Sequence, residues 1–190
     1  MTVTGPDGLE RCPWGDDPRL RRYHDEEWGR ELRGDRAMFE RLSLEAFQSG
    51  LSWSLILRKR EAFREAFVGF VPALVSRFAD ADVERLLTDE GIVRNRAKIE
   101  ATISNARAVL ELGESLSDLV WSFAPPTSPA PRTVADVPAT SAESTALAKE
   151  LKRRGLKFVG PTTAYALMQA TGMVDDHLVG CLARRTPPLS

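Results

Sequence analysis

Cys12, His24, His177 and Cys181 are the only cysteines and histidines in the chain. They fall into two Cys–His pairs near opposite ends. In "VDDHLVGC", His177 and Cys181 are spaced i, i+4, which on a helix places both on one face. Cys12 and His24 bracket "RCPWGDDPRLRRYH", a Pro-Gly loop running into a short helix. Two thiolates and two imidazoles suit tetrahedral zinc, and four protein ligands leave no open position for water. Such an ion would be structural and would pin the N-terminal segment to the last helix. The alternatives are buried free cysteines beside ordinary histidines, or a disulfide. A disulfide belongs to an oxidising compartment, and "MTVTGPDGLE" lacks the pattern of a secretory signal. The default location is therefore cytoplasmic. With both histidines claimed by a metal, "GLSWS" (50–54) has no base for a serine triad, and it lacks the second glycine of a nucleophile elbow.

Two carboxylates draw attention. Glu45 borders the apolar Leu42–Ala46 face of a helix, so partial burial and a need for a partner are expected. Asp175 lies two residues before His177. It is readable as a helix cap or as the group that orients His177. Basic residues gather in "LRKR" (57–60), "RNRAKIEATISNAR" (94–107) and "KELKRRGLK" (149–157). Each reads as a solvated face; together on one surface they would bind phosphates. The net charge of −1 does not by itself indicate nucleic acid.

The elements that must hold these groups are helical. "DRAMFERLSLEAFQSG" sets Met38, Phe39, Leu42 and Ala46 at three- and four-residue steps after a possible Asp35 cap. Leu55–Phe67 continues helically. "DADVERLLTDEG" has an aspartate start and a glycine stop. "RNRAKIEATISNARAVLELG" places Ile99, Ile103, Ala106 and Leu110 on one side. "TSAESTALAKELKRRG" opens with Thr140 and Glu143 as a capping box and stops at Gly155. No stretch alternates like a strand, so the class is all-α. No apolar run is long enough to span a membrane. The proline-rich 124–139 reads as an irregular surface connection. At 190 residues, the chain suits a single unit over 1–190.

"RRGLKFVGPTTAYALMQATG" predicts a helix, a tight turn from Leu156 to Gly160, and a second helix opened by Pro161. Free N–H groups at that second helix could accept a phosphate without reading sequence. This stretch resembles the helix-hairpin-helix of DNA repair glycosylases. With "RCPWGDDPRLRRYHDEEWG", "LEAFQSGLSWSLILRKREAFREAF", "DEGIVRNRAKIEATISNARA", "VWSF" and "VDDHLVGC", nearly the whole chain resembles the 3-methyladenine DNA glycosylase I family.

That resemblance implies a helix-hairpin-helix glycosylase fold with the hairpin at about 141–172 and a zinc staple joining 12–24 to 177–181. Its ligands would be Cys12, His24, His177 and Cys181. It implies excision of N3-methyladenine from alkylated double-stranded DNA by a monomer needing no protein partner. It assigns Glu45 to the base, and Tyr23 and Trp53 to stacking. It puts Phe158, Gly160, Thr162 and Thr163 at the DNA. Many helix-hairpin-helix glycosylases carry in this segment an aspartate that aids attack at C1′; asparagine is usual in this family, and Asp175 restores the carboxylate, which makes it a candidate second catalytic residue. Leu20 and Phe47 replace more polar residues of some relatives, which implies a less polar pocket with Phe47 in its wall. Thr162 stands where lyase relatives carry lysine, so hydrolysis without lyase activity is expected.

Overall fold

The computed structural model describes residues 1–185, and 186–190 lie outside the described residues. A two-stranded antiparallel ribbon of β1 (Val3–Thr4) and β2 (Glu10–Arg11) opens the chain. The all-α expectation omits it, because two residues per strand are too few to display a period of two. Helices build the rest: α1 (Arg21–Glu26), α2 (Asp35–Gln48), α3 (Trp53–Ala66), α4 (Pro72–Val75), α5 (Asp80–Thr88), α6 (Arg96–Leu110), α7 (Leu116–Trp121), α8 (Ala142–Arg153) and α9 (Pro161–Ala170). None is long and apolar enough to cross a membrane.

The predicted apolar stripes find their core. Met38, Phe39, Leu42 and Ala46 of α2 are buried, as are Ile99, Ile103 and Ala106 of α6. Leu110 is exposed instead, at the last turn of α6. Phe39, Phe47, Phe63, Phe67 and Phe70 stack into the centre from α2, α3 and the turn that follows. The caps differ in detail from the sequence reading. Asp35 does not cap α2. Its Oδ1 accepts from Ser115 Oγ at 2.6 Å and Ser117 N at 3.0 Å, tying α2 to the start of α7. In α8 the box is one residue later than expected. Ser141 Oγ accepts from Ser144 N at 3.1 Å, and Ser144 Oγ accepts from Ser141 N at 2.8 Å.

The hairpin forms as predicted. Gly155, with φ 88°, ends α8 in the left-handed region that glycine reaches without steric cost. Asn105 of α6 clamps the turn, accepting from Lys157 N at 2.7 Å and donating to Lys157 O at 3.1 Å. Phe158 follows at φ 57°, exposed, a strained conformation for a non-glycine residue. α9 then packs against both α8 and α2.

After α9 the expected terminal helix is absent. Residues 173–185 run as turns and extended backbone. Four of their N–H groups are taken by distant partners: Asp175 N by Ser128 Oγ (3.0 Å), Leu178 N by Cys12 Sγ (3.3 Å), Val179 N by Pro131 O (2.8 Å) and Leu182 N by Glu10 O (2.9 Å). No i→i−4 ladder can form, so Asp175 caps no helix and the His177–Cys181 spacing is not helical.

Candidate functional site

The ends of α1, α2, α3 and α9 enclose a cavity of about 390 Å³. Its wall is aromatic: Trp14, Tyr23, Trp28 and Trp53 all line it. The Tyr23 and Trp53 ring centroids lie 5.3 Å apart, and Trp14 meets Trp28 edge-on at 5.0 Å. α2 contributes Glu45 and Gln48 to the same space. The proline-rich connection is not merely a surface strap, since its Val134 and Val137 complete the wall.

Glu45 is 5% exposed, and its carboxyl meets no protein donor among the described residues. Burial pushes its pKa up to about 7, and the Arg41 charge opposes that rise. The Trp53 indole N–H is buried with no acceptor among the described residues. Both groups want a partner that the protein does not supply. A flat ring bearing an exocyclic amine would stack on the indole and phenol faces and give Glu45 its hydrogen bond. A ring carrying positive charge would gain a further ~1–2 kcal/mol from the aromatic faces.

Among the residues expected here, Glu45, Tyr23, Trp53 and Leu20 line the cavity, whereas Phe47 does not. Phe47 is fully buried against Phe63 at 4.6 Å, because it points to the core side of α2; Gln48, one residue on, reaches the cavity. The sequence reading missed Trp14 and Trp28. The signal was present, since Trp14 lies within the Cys12–His24 segment and Trp28 four residues after it.

The two neighbouring aspartates face opposite ways. Asp175 Oδ1 lies 2.8 Å from His177 Nδ1, and its Oδ2 accepts from Arg185 N at 2.9 Å; it is not in the cavity wall. Asp176 is. Its Oδ2 accepts from the Tyr165 hydroxyl at 2.7 Å and from Gln169 Nε2 at 2.8 Å, while Oδ1 meets no protein donor among the described residues. Burial and the Asp176 carboxylate push the Tyr165 phenol up, which keeps it a donor.

Behind the wall, Cys12 Sγ, a ring nitrogen of His24 and Cys181 Sγ lie within 4.8 Å of one another. His177 stands beside this group rather than within it, its ring centroid 5.0 Å from that of His24. Each histidine has a carboxylate on Nδ1, Asp25 at 2.7 Å and Asp175 at 2.8 Å; His24 Nε2 lies 3.5 Å from Cys181 Sγ, and His177 Nε2 lies 3.4 Å from the His24 carbonyl oxygen. The hydrogen bond from the Cys12 thiol and the nearby His24 hold Cys181 well below its usual range. That bond and burial push Cys12 up. The donor set therefore fits a thiophilic ion such as zinc. Packing here is tight. A Cβ on Gly15 would stand 2.4 Å from the His24 ring. Trp14 lies 4.8 Å from His24 and Trp28 4.6 Å from His177, so the cluster supports the aromatic wall directly.

At the hairpin, Phe158, Gly160 and Thr162 are exposed and Thr163 half-buried, and no side chain caps the α9 N-terminus. Its free N–H groups suit a phosphate. Much of the basic charge is spent internally. Lys98 donates to Phe47 O (2.8 Å) and Ser49 O (2.7 Å), and Arg60, Arg96 and Arg154 pair with glutamates. Lys149, Lys152 and Lys157, around the hairpin, have no carboxylate partner among the described residues and are exposed.

Comparison with known proteins matches residues 14–185 to the methyladenine glycosylase family. The chain is 46% identical over 179 residues to DNA-3-methyladenine glycosylase 1 of Escherichia coli, covering 91% of this chain and 96% of that one. A crystal structure of 3-methyladenine DNA glycosylase I superposes with a TM-score of 0.89 at 46% identity, covering 92% of this chain and 100% of the other. A tyrosine-to-phenylalanine variant of such an enzyme, in complex with 3-methyladenine, gives 0.87 at 36% identity, covering 93% and 98%.

Proposed function

The chain belongs to the methyladenine glycosylase family, and on that basis we propose that it excises N3-methyladenine from alkylated double-stranded DNA, leaving an abasic site. The observation that carries this reading is Glu45, a buried carboxyl without a protein partner inside an aromatic box. The damaged nucleotide is flipped out of the stack, at a cost lowered by the lesion itself. The hairpin amides at Thr162 and Thr163, with Phe158 and Gly160, hold the backbone while the base enters between Tyr23 and Trp53. Glu45 accepts from the exocyclic amine. Breaking the C1′–N bond sends its electron pair onto the cationic ring, so the base leaves neutral and needs no general acid. Water oxygen then bonds C1′ and releases a proton.

Asp176, rather than Asp175, presents the carboxylate that faces this charge, held by Tyr165 and Gln169. Asp175 instead orients His177. No amine stands at Thr162 to form a Schiff base, which supports hydrolysis without lyase activity. Cys12, His24, His177 and Cys181 would hold zinc, which supplies no chemistry and fixes the cavity wall.

Incubating the protein with methylated duplex DNA is expected to release free 3-methyladenine; folded, zinc-loaded protein that releases none refutes the proposal. Within it, Asp176→Asn is expected to lower kcat by ~100-fold or more while affinity for the free base changes little. Asp175→Asn should keep most activity but hold zinc more weakly, by ~10-fold or more. The reverse ranking in kcat would return the reactive role to Asp175.

A further inference from the structure

The established features of the site leave one buried cation unexplained. Arg41 lies on α2, one turn before Glu45, and is 8% exposed. Its Nη1 donates to the Tyr23 hydroxyl at 2.9 Å. Its guanidinium carbon lies 5.3 Å from the Tyr23 ring centroid and 5.4 Å from that of Trp53. Its nearest carboxylate is Glu27, at 3.9 Å, and Glu27 already takes a two-pronged pair from Arg60. A buried charge with so little of a carboxylate is costly unless it does something else.

We propose that Arg41 is a positioning residue for base recognition: from behind the aromatic wall it fixes Tyr23 through its hydroxyl and supplies the positive charge that keeps Glu45 an acceptor. The inference rests on the glycosylase reading of the same cavity. Other charged groups on the elements around α2 are committed elsewhere. Arg60 and Arg64 of α3 pair with Glu27 and Glu40, and Lys98 of α6 donates to two carbonyls. Asp118 of α7 is exposed, and Tyr165 of α9 donates to Asp176. Asp176 and Tyr23 also line the cavity, and burial pushes the Tyr23 phenol up, which keeps it neutral. Burial disfavours a charged Glu45, and the Arg41 charge, one helical turn away on α2, favours it.

The test compares pH profiles of kcat/KM for release of 3-methyladenine, and of affinity for the free base by tryptophan fluorescence. The proteins are full-length, zinc-loaded wild type, Arg41→Met, Arg41→Gln, Arg41→Lys and Glu45→Gln. The substrate's own titration is common to all and cancels. The acid limb present in wild type and missing in Glu45→Gln belongs to Glu45. In Arg41→Met and Arg41→Gln that limb is expected to move up by about one pH unit, with ~10-fold loss at neutral pH recovered at pH 9. Arg41→Lys, which keeps the charge, should hold the limb within ~0.3 unit of wild type. A loss equal at every pH, or a wild-type profile in Arg41→Gln, overturns the inference. Should Arg41→Met fail to fold, Arg41→Gln, which can still donate to Tyr23, carries the same test. Absence of release by wild type would instead refute the glycosylase reading itself.

Discussion

Glu45→Gln is expected to make the protein less active and more stable at once. The hydrogen bond to the lesion's amine becomes neutral-to-neutral, and its oxygen and nitrogen compete for the same orientation. Loss of a charge-assisted bond of ~1.5–3 kcal/mol predicts a fall in kcat/KM of ~10–100-fold. The stability effect has the opposite sign. Burial raises the Glu45 pKa from 4.5 to about 7, so the folded state prefers the protonated form. That preference is fully present below the unfolded value, and it is lost as pH rises through the folded value. Above pH 7 wild type therefore carries the whole penalty of a buried carboxylate, ~3 kcal/mol at 1.36 kcal/mol per unit. Glutamine carries none of it. Thermal midpoints should coincide near pH 4.5 and diverge by ~6–12 °C at pH 8, with the variant higher. Equal midpoints at pH 8 would show that Glu45 is not buried as described. The pairing of both effects is the signature of a residue kept for binding at the expense of the fold.

Removing the proposed zinc, by chelator or by Cys181→Ala, should have the largest effect on stability. The segment after α9 has no helix to hold it, and its long-range bonds run to Glu10 and Cys12 and to Ser128 and Pro131 of the proline-rich connection. Without an ion, two thiols and two imidazoles are left side by side in a buried cluster. A loss of ~4 kcal/mol or more predicts a thermal midpoint lower by ~10 °C or more. Because Trp14 and Trp28 lean on His24 and His177, tryptophan emission should shift in the same transition, and base affinity should fall with it. Metal analysis, melting curves with and without chelator, and fluorescence together give the check. A zinc-free protein with an unchanged midpoint and full activity would leave the cluster as ordinary buried side chains.

Family membership needed no coordinates to be suspected, because motifs along nearly the whole chain agreed in order. The helices were legible for a local reason: Met38, Phe39, Leu42 and Ala46 repeat at the helical period, and Gly155 and Pro161 mark a stop and a start. The metal-ligand types were equally plain, since the chain has no other cysteine or histidine. What periodicity could not supply was direction across space. Phe47 and Gln48 are adjacent on α2, yet one is core and the other faces the cavity. Asp175 and Asp176 are adjacent outside any helix, so their side chains diverge, and nothing local says which meets the cavity. The expected helix under His177 and Cys181 gives way to tight local turns at those two residues and to distant acceptors for Leu178, Val179 and Leu182. Residue types and helical faces are properties of neighbours in sequence, and the sequence by itself determined them. The cavity wall is assembled from Trp14, Trp53, Val134 and Asp176, and the worth of Arg41 depends on which carboxylates Arg60 has already taken. Those are properties of neighbours in space, and only the tertiary structure decided them.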